Sequence, residues 1–402
     1  VQGELFRAGA GFLLAMAAAP GIIGAEKQPS SKVAFTRRGT IMLRSSRLAL
    51  AVFVGAALLA GSLQAADKNN GLTKGTPDLK SAGALAFGPD GILFVGDSRG
   101  GAVFAIDAED AKAAKANNEL KVEGLDGKIA SLLGIDAKQI AVNDLRVNPV
   151  SKKVYLSVSR GKGPDATPVI LRVTPKGEIQ EVSLKDVKFA KTKLPNPTEK
   201  QRQEAITHIE YVKGKVYVAG LSNEEFSSRF LAIPFPFKDA EKGTKIEIYH
   251  GAHGRFETKS PIRIFAAYEI KGETNLLSAY TCTPLVKIPV SELKPGAQVK
   301  GTTVAELGNM NKPLAMFVYK KDGKDYILMA NHARGVMKIS TENIDKIKGI
   351  TKHITGGKTA GLPYETIKNL KGVQKLDQLT RSHAVILASK DDGLSLTAIE
   401  LP

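Results

Sequence analysis

Over most of its length the chain alternates short apolar runs with turns rich in Gly, Asp, Asn and Lys. One phrase recurs: an apolar run, a small or polar turn, a second apolar run. Its copies are ILFVGDSRGGAVFAI (92–106), VYLSVSRG…PVILRV (154–173), VYVAGLSNEEFSSRFLAI (216–233), LLSAYTCTPLVKI (276–288), ILMANHARGVMKI (327–339) and VILASKDDGLSLTAI (385–399). Runs this short, bounded by turn residues, read as strands. A further strand precedes each copy: GALAF (83–87), NDLRV (143–147), THIEY (207–211), IRIFAAY (262–268), PLAMFVY (313–319) and VQKLDQL (373–379). The period of roughly 50–60 residues is that of a radial array of small sheets.

The pattern predicts an all-β fold, a six-bladed β-propeller over residues 81–402, with seven as the alternative blade count. Residues 107–142 break it. Helical spacing at Ala108–Lys115 and Gly127–Leu133 predicts a short helical insertion between blades one and two. The last unit supplies three strands. The polar segment 67–80 reads as a linker whose Leu72–Lys80 portion is expected to complete that blade and close the ring, removing exposed edges.

The first 66 residues differ from the rest. MLRSSRLALAVFVGAALLAGSLQAAD (42–67) has a basic start, an apolar run from Leu48 to Ala60 and a small-residue exit at Ala65 and Ala66. It reads as a signal peptide over 42–66, with residues 1–41 an over-extended gene start. Thr36-Arg37-Arg38, read from Met16, is the alternative twin-arginine export signal. Either way the expected location is periplasmic or secreted, with no stable membrane span after cleavage.

The phrase LAFGPDGILFVGDSRGGAVFAID (85–107) resembles an NHL-type blade, and the architecture resembles the six-bladed superfamily that includes NHL-repeat and gluconolactonase-like proteins. The resemblance covers residues 81–402 in architecture and the first blade in sequence. It implies a fold rather than a reaction.

Lys and Arg outnumber Asp and Glu by 57 to 40, an excess of 17 positive charges that favours anionic ligands at long range. The basic residues sit in turns, Trp is absent, and no basic helix or nucleic-acid motif is present. Nucleic acid is therefore excluded as a partner. Covalent haem attachment, a nucleophile elbow, a zincin helix and a phosphate-cradling loop also lack their motifs.

Propeller topology then sorts the remaining chemistry. Connections into each innermost strand and turns between second and third strands share one face, and turns between first and second strands share the other. His208, His250, His253, His332 and the lone Cys282 fall on the first face, as do Asp97, Arg99, Asn143, Asp144 and Glu224. His383 falls on the other. Imidazoles at His208, His250, His253 and His332 suit copper or zinc, with Cys282 a possible soft donor. Oxygen donors around Asp144 and Glu224 suit calcium, ranked after those metals.

Three readings follow from the sequence. The first is an exported monomer whose channel face binds a small molecule or another exported protein, with residues such as Asp97, Arg99, Asn143, Asp144, Glu224 and Cys282 at the ligand. The second is a copper-type oxidoreductase using the histidines. The third is a calcium-dependent, lactonase-like hydrolase.

Overall fold

The computed structural model describes residues 70–391 and 393–402; the signal-peptide and gene-start expectations lie outside them. Among the described residues six sheets, antiparallel except where Gln298–Lys300 adds in parallel to Thr244–His250, are arranged as the blades of a β-propeller. Their innermost strands are Leu85–Phe87, Ile140–Val147, His208–Val212, Ile262–Ile270, Pro313–Lys321 and Val373–Gln378, and blades one to six are numbered in that order. No helix among the described residues is long and apolar enough to cross a membrane.

The sequence shows apolar runs rather than strict alternation because each blade is covered on both faces. Leu93, Phe94, Val95, Phe104, Ala105 and Ile106 of blade one are all fully buried. Successive side chains point to opposite faces of a strand, so a strand sandwiched between neighbours needs apolar residues at every position.

The seams give the order of the blades around the ring, and it is not the chain order. Blade-one residues Ala84, Phe94 and Val103 share a core with blade-three residues Val216, Val218 and Leu231. On its other side, blade one shares Leu93 and Phe104 with Tyr155 and Ile170 of blade two. Blade two in turn packs Leu145 and Leu156 against Val385, Leu387 and Leu396 of blade six. Blades three to six follow one another in chain order. The ring therefore runs one, three, four, five, six, two. Blade two occupies the closing position between the last blade and the first.

This placement requires the chain to leave blade one early and return. After Ala102–Asp107 it supplies Lys121–Val122 as the outer strand of blade six, pairing with Gly393–Glu400 through Leu396↔Val122. The α-helix Leu125–Leu133 follows, burying Leu125, Ile129 and Leu133, and then blade two. Val187–Lys193 comes back to pair with Ala102–Asp107. The segment expected to complete the last blade instead pairs within blade one, Thr73–Gly75 lying against Val187–Lys193. The closing strand comes from the insertion, which pairs with blade six before the chain enters blade two.

Side chains on the innermost strands bind the backbone of the next blade. Asp144 Oδ2 accepts from Leu85 N–H at 2.9 Å, Asp377 Oδ2 from Val147 N–H at 2.7 Å and Glu210 Oε2 from Ala267 N–H at 3.0 Å. Arg146 Nε donates to Leu85 O at 2.9 Å and Nη1 lies 3.7 Å from Asp377.

Candidate metal centre

The outer strand of blade three, Thr244–His250, ends in a tight reversal. A single 3-10 turn, Gly251–His253, leads through Gly254 at φ +65° into Arg255–Glu257, which pairs back with His250 opposite Arg255. Gly254 is needed twice over. Its φ is left-handed, and a Cβ there would sit 2.8 Å from the ring of His353.

The reversal puts His250, His253 and Glu257 together. His250 Nδ1 lies 2.8 Å from Glu257 Oε2, and His253 Nδ1 lies 2.6 Å from Oε1. The two imidazoles lie side by side, 3.8 Å between centroids. Burial alone would raise the Glu257 carboxyl, but hydrogen bonds from His250, Ser260 and His253 outweigh it and hold the group well below the usual carboxylate range. An ionised carboxylate can only accept, so both Nδ1 atoms carry a proton, and in the neutral rings both Nε2 atoms present lone pairs. His250 Nε2 is buried and has no partner among the described residues. A buried, unpartnered lone pair is costly unless something accepts it.

Cys282 arrives from blade four, in the turn between Glu273–Tyr280 and Pro284–Pro289. Its φ is +63° and that of Thr283 is +55°, two left-handed residues in succession, one of them β-branched. Such backbone costs of order 1–3 kcal/mol per residue and persists only where neighbours hold it. Here Cys282 N–H donates to Asn311 O at 2.7 Å, and Thr283 Oγ1 to Gly308 O at 2.7 Å. The turn aims the thiol at the histidines. The ligand atoms of His250, His253 and Cys282 all lie within 4.8 Å of one another. Donors on one metal ion, with bonds of about 2.0–2.3 Å, stand roughly 3.5–4 Å apart, so a shift of about 1 Å would close the set. His250 is buried, Cys282 partly so, and His253 exposed, which leaves one side of the cluster facing solvent.

This is the one such group among the described residues, and it leaves out the other two expected metal histidines. His208 lies in the channel, buried. Its Nε2 meets Arg146 Nη2, and Phe265 N–H lies 3.4 Å from Nδ1. Burial, then Arg146 and Lys375, holds its pKa well below 6.5. A neutral imidazole offers one lone pair, and two donors, the Arg146 guanidinium and the Phe265 N–H, already compete for it, so none is left for a metal. His332 is exposed in the corresponding turn of blade five, apart from the cluster.

The remaining expected site residues are engaged structurally. Asp97 accepts from the backbone N–H groups of Lys80, Ser81 and Gly100. Arg99 Nη1 reaches Ala166 O across the seam between blades one and two, and Asn143 Nδ2 reaches Ala82 O. Asp144 is held by Leu85 N–H, with Lys375 3.7 Å away, and Glu224 pairs with Lys245 at 2.7 Å. Oxygen donors already taken by amides and lysines do not form a calcium site, so that reading gains no support from the geometry. A channel cavity of ≈410 Å³ lined by Arg146, Glu210, Tyr211 and Asp377 opens among the turns between first and second strands, Pro149, Lys152 and Arg381. That is the face away from the cluster.

Glu257 is not among the residues that the sequence pattern singles out, yet its signal is present. His250, His253 and Glu257 form an H-x-x-H-x-x-x-E phrase within one reversal, and a carboxylate behind paired imidazoles is the usual partner of metal-binding histidine.

No protein-family model matches the chain, and no curated protein matches it. Among solved structures, three that align with most of the chain do so at low identity and low TM-score. An oxidoreductase described as a glucose dehydrogenase from Thermus thermophilus is 12% identical, covering 82% of this chain and 99% of its own, at TM-score 0.33. The PQQ-bound aldose sugar dehydrogenase of Streptomyces coelicolor is 12% identical, covering 81% and 97%, at TM-score 0.29. A streptogramin B lyase is 11% identical, covering 82% and 87%, at TM-score 0.28.

Proposed function

We propose that this protein is an exported, monomeric propeller carrying a copper centre of the imidazole–thiolate type, and that it works as a metal-dependent oxidoreductase. His250 Nε2, His253 Nε2 and Cys282 Sγ are the ligands, and Glu257 orients both rings from behind. The observation that carries the reading is the grouping of His250, His253 and Cys282 ligand atoms within 4.8 Å of one another, with His250 Nε2 buried and unpartnered and its Nδ1 held by Glu257. Two nitrogens and one thiolate are the donor set that favours copper or zinc over calcium or magnesium, and copper binds such sites more tightly than zinc. The exposed edge at His253 leaves a route for electrons or a small reductant.

The test is metal analysis and visible spectroscopy of protein purified without chelator and reloaded with one equivalent of Cu(II). The expected result is stoichiometric copper with a thiolate-to-copper absorption band, lost in Cys282→Ser and in His250→Gln. Tight zinc binding with no copper preference would replace the redox reading by a zinc one at the same residues. Protein that binds neither metal at micromolar concentration sinks the proposal and favours a binding module instead.

A further inference from the structure

A second cavity lies between blades five and six, on the same face as Cys282 and independent of the metal reading. Its volume is ≈460 Å³. Basic groups converge on it: Arg334 and His332 from the turn of blade five, Lys368 and Lys371 from the connection into blade six. No Asp or Glu lines it. Its apolar wall is Leu314, Ile367, Leu370 and Val373.

The four basic side chains share a further property. Among the described residues none of them stands in an ion pair, in a protein where lysines are widely paired. The channel cavity is the contrast, since its Arg146 faces Asp377 and Asp144. Three permanent cations gathered without a counter-charge repel one another and destabilise the fold unless something compensates.

Arg334 is held in place rather than free. Its Nη2 donates to Asn309 O at 3.2 Å, its one hydrogen bond to protein, and its Nε is buried without a partner among the described residues. The guanidinium lies over Gly308, where a Cβ would come within 2.5 Å of Cζ, and Gly308 has φ +104°. Only glycine gives that room and that backbone. A guanidinium fixed by its back edge, beside lysines and an apolar wall, suits recognition of a planar or tetrahedral anion.

We propose that this cavity binds a small organic anion, a carboxylate or phosphate on an apolar body, with Arg334 as the anchor and Lys368 and Lys371 as supporting charges. The probes are hexanoate and inorganic phosphate, with sodium chloride at matched ionic strength as control, read by thermal midpoint and calorimetric titration of the purified protein. Saturable hexanoate binding with a Kd of about 1 mM or tighter is expected, and a loss of about tenfold or more in Arg334→Gln. The double variant Lys368→Gln/Lys371→Gln, altered at exposed residues, guards against misfolding of the arginine variant. Without anion its midpoint should rise, because repulsion is relieved, and its affinity for hexanoate should fall. Phosphate binding without hexanoate binding overturns the apolar-body assignment. No saturable binding by either probe, or equal binding by wild type and both variants, overturns the site.

Discussion

Glu257 meets both histidine Nδ1 atoms, and so decides which nitrogen of each neutral ring is left for the proposed metal, one ring buried and the other exposed. Replacing it by Gln leaves one oxygen to accept and puts an N–H2 opposite the other Nδ1, so one ring must change tautomer or turn away. Glu257→Gln should therefore lower copper affinity by about 10–100-fold while keeping all three ligands. Competition against a chelator of known affinity measures this, and unchanged affinity would show that Glu257 does not orient the rings. The histidine spacing and the shared face were legible in the sequence, since propeller topology alone brought His250, His253 and Cys282 to one side. Their contact was not. It depends on how far the outer edge of blade three reaches toward a turn of blade four, and nothing in the repeat encodes that reach. His208 shows the complementary limit: its position on an innermost strand is plain in THIEY, but the Arg146 that meets its ring belongs to a blade two seams away along the ring.

At the scale of elements, the six strand phrases set the number of blades, and of the two segments with helical spacing Gly127–Leu133 lies in the helix Leu125–Leu133, whereas Ala108–Lys115 is irregular. The order of the blades was hidden, because every blade offers the same two apolar faces and any neighbour satisfies them. The order is marked by a short strand that no periodicity could reveal, Lys121–Val122, which pairs with blade six and buries Val122 there. A two-residue strand carries no alternation to read. Its role can be tested directly. Val122→Asp places a charge in the core shared by blades two and six, and should cost about 2–5 kcal/mol. Hydrogen exchange should show deprotection first in Gly393–Glu400 and in the helix, with Thr244–His250 unaffected. Deprotection spread evenly over all blades would mean that this strand does not hold the closure.

For the whole molecule, polar clamps around the channel tie blade to blade alongside the apolar seams, and one of those clamps titrates near neutrality. Burial raises the Glu210 carboxyl to about 7, against the lowering influence of Arg146 and of the Ala267 N–H it accepts. An unfolded Glu releases its proton near 4.3, so between about pH 4.5 and 7 the folded ring holds a proton that the unfolded chain has lost. Stability must fall as pH rises through that window, because the native state binds more protons there. Asp377, whose carboxyl burial also raises, contributes in the same direction. Gln at position 210 can still accept from Ala267 through its amide oxygen, but it cannot ionise. Glu210→Gln should match the wild type near pH 4.5 and exceed it by a few degrees in thermal midpoint at pH 8, with a flatter profile between. Parallel profiles for the two proteins would place the titrating group elsewhere. A lower midpoint for the variant at pH 8 would mean that the attraction of Glu210 to Arg146 outweighs its burial, and that the ring is held shut by charge rather than in spite of it.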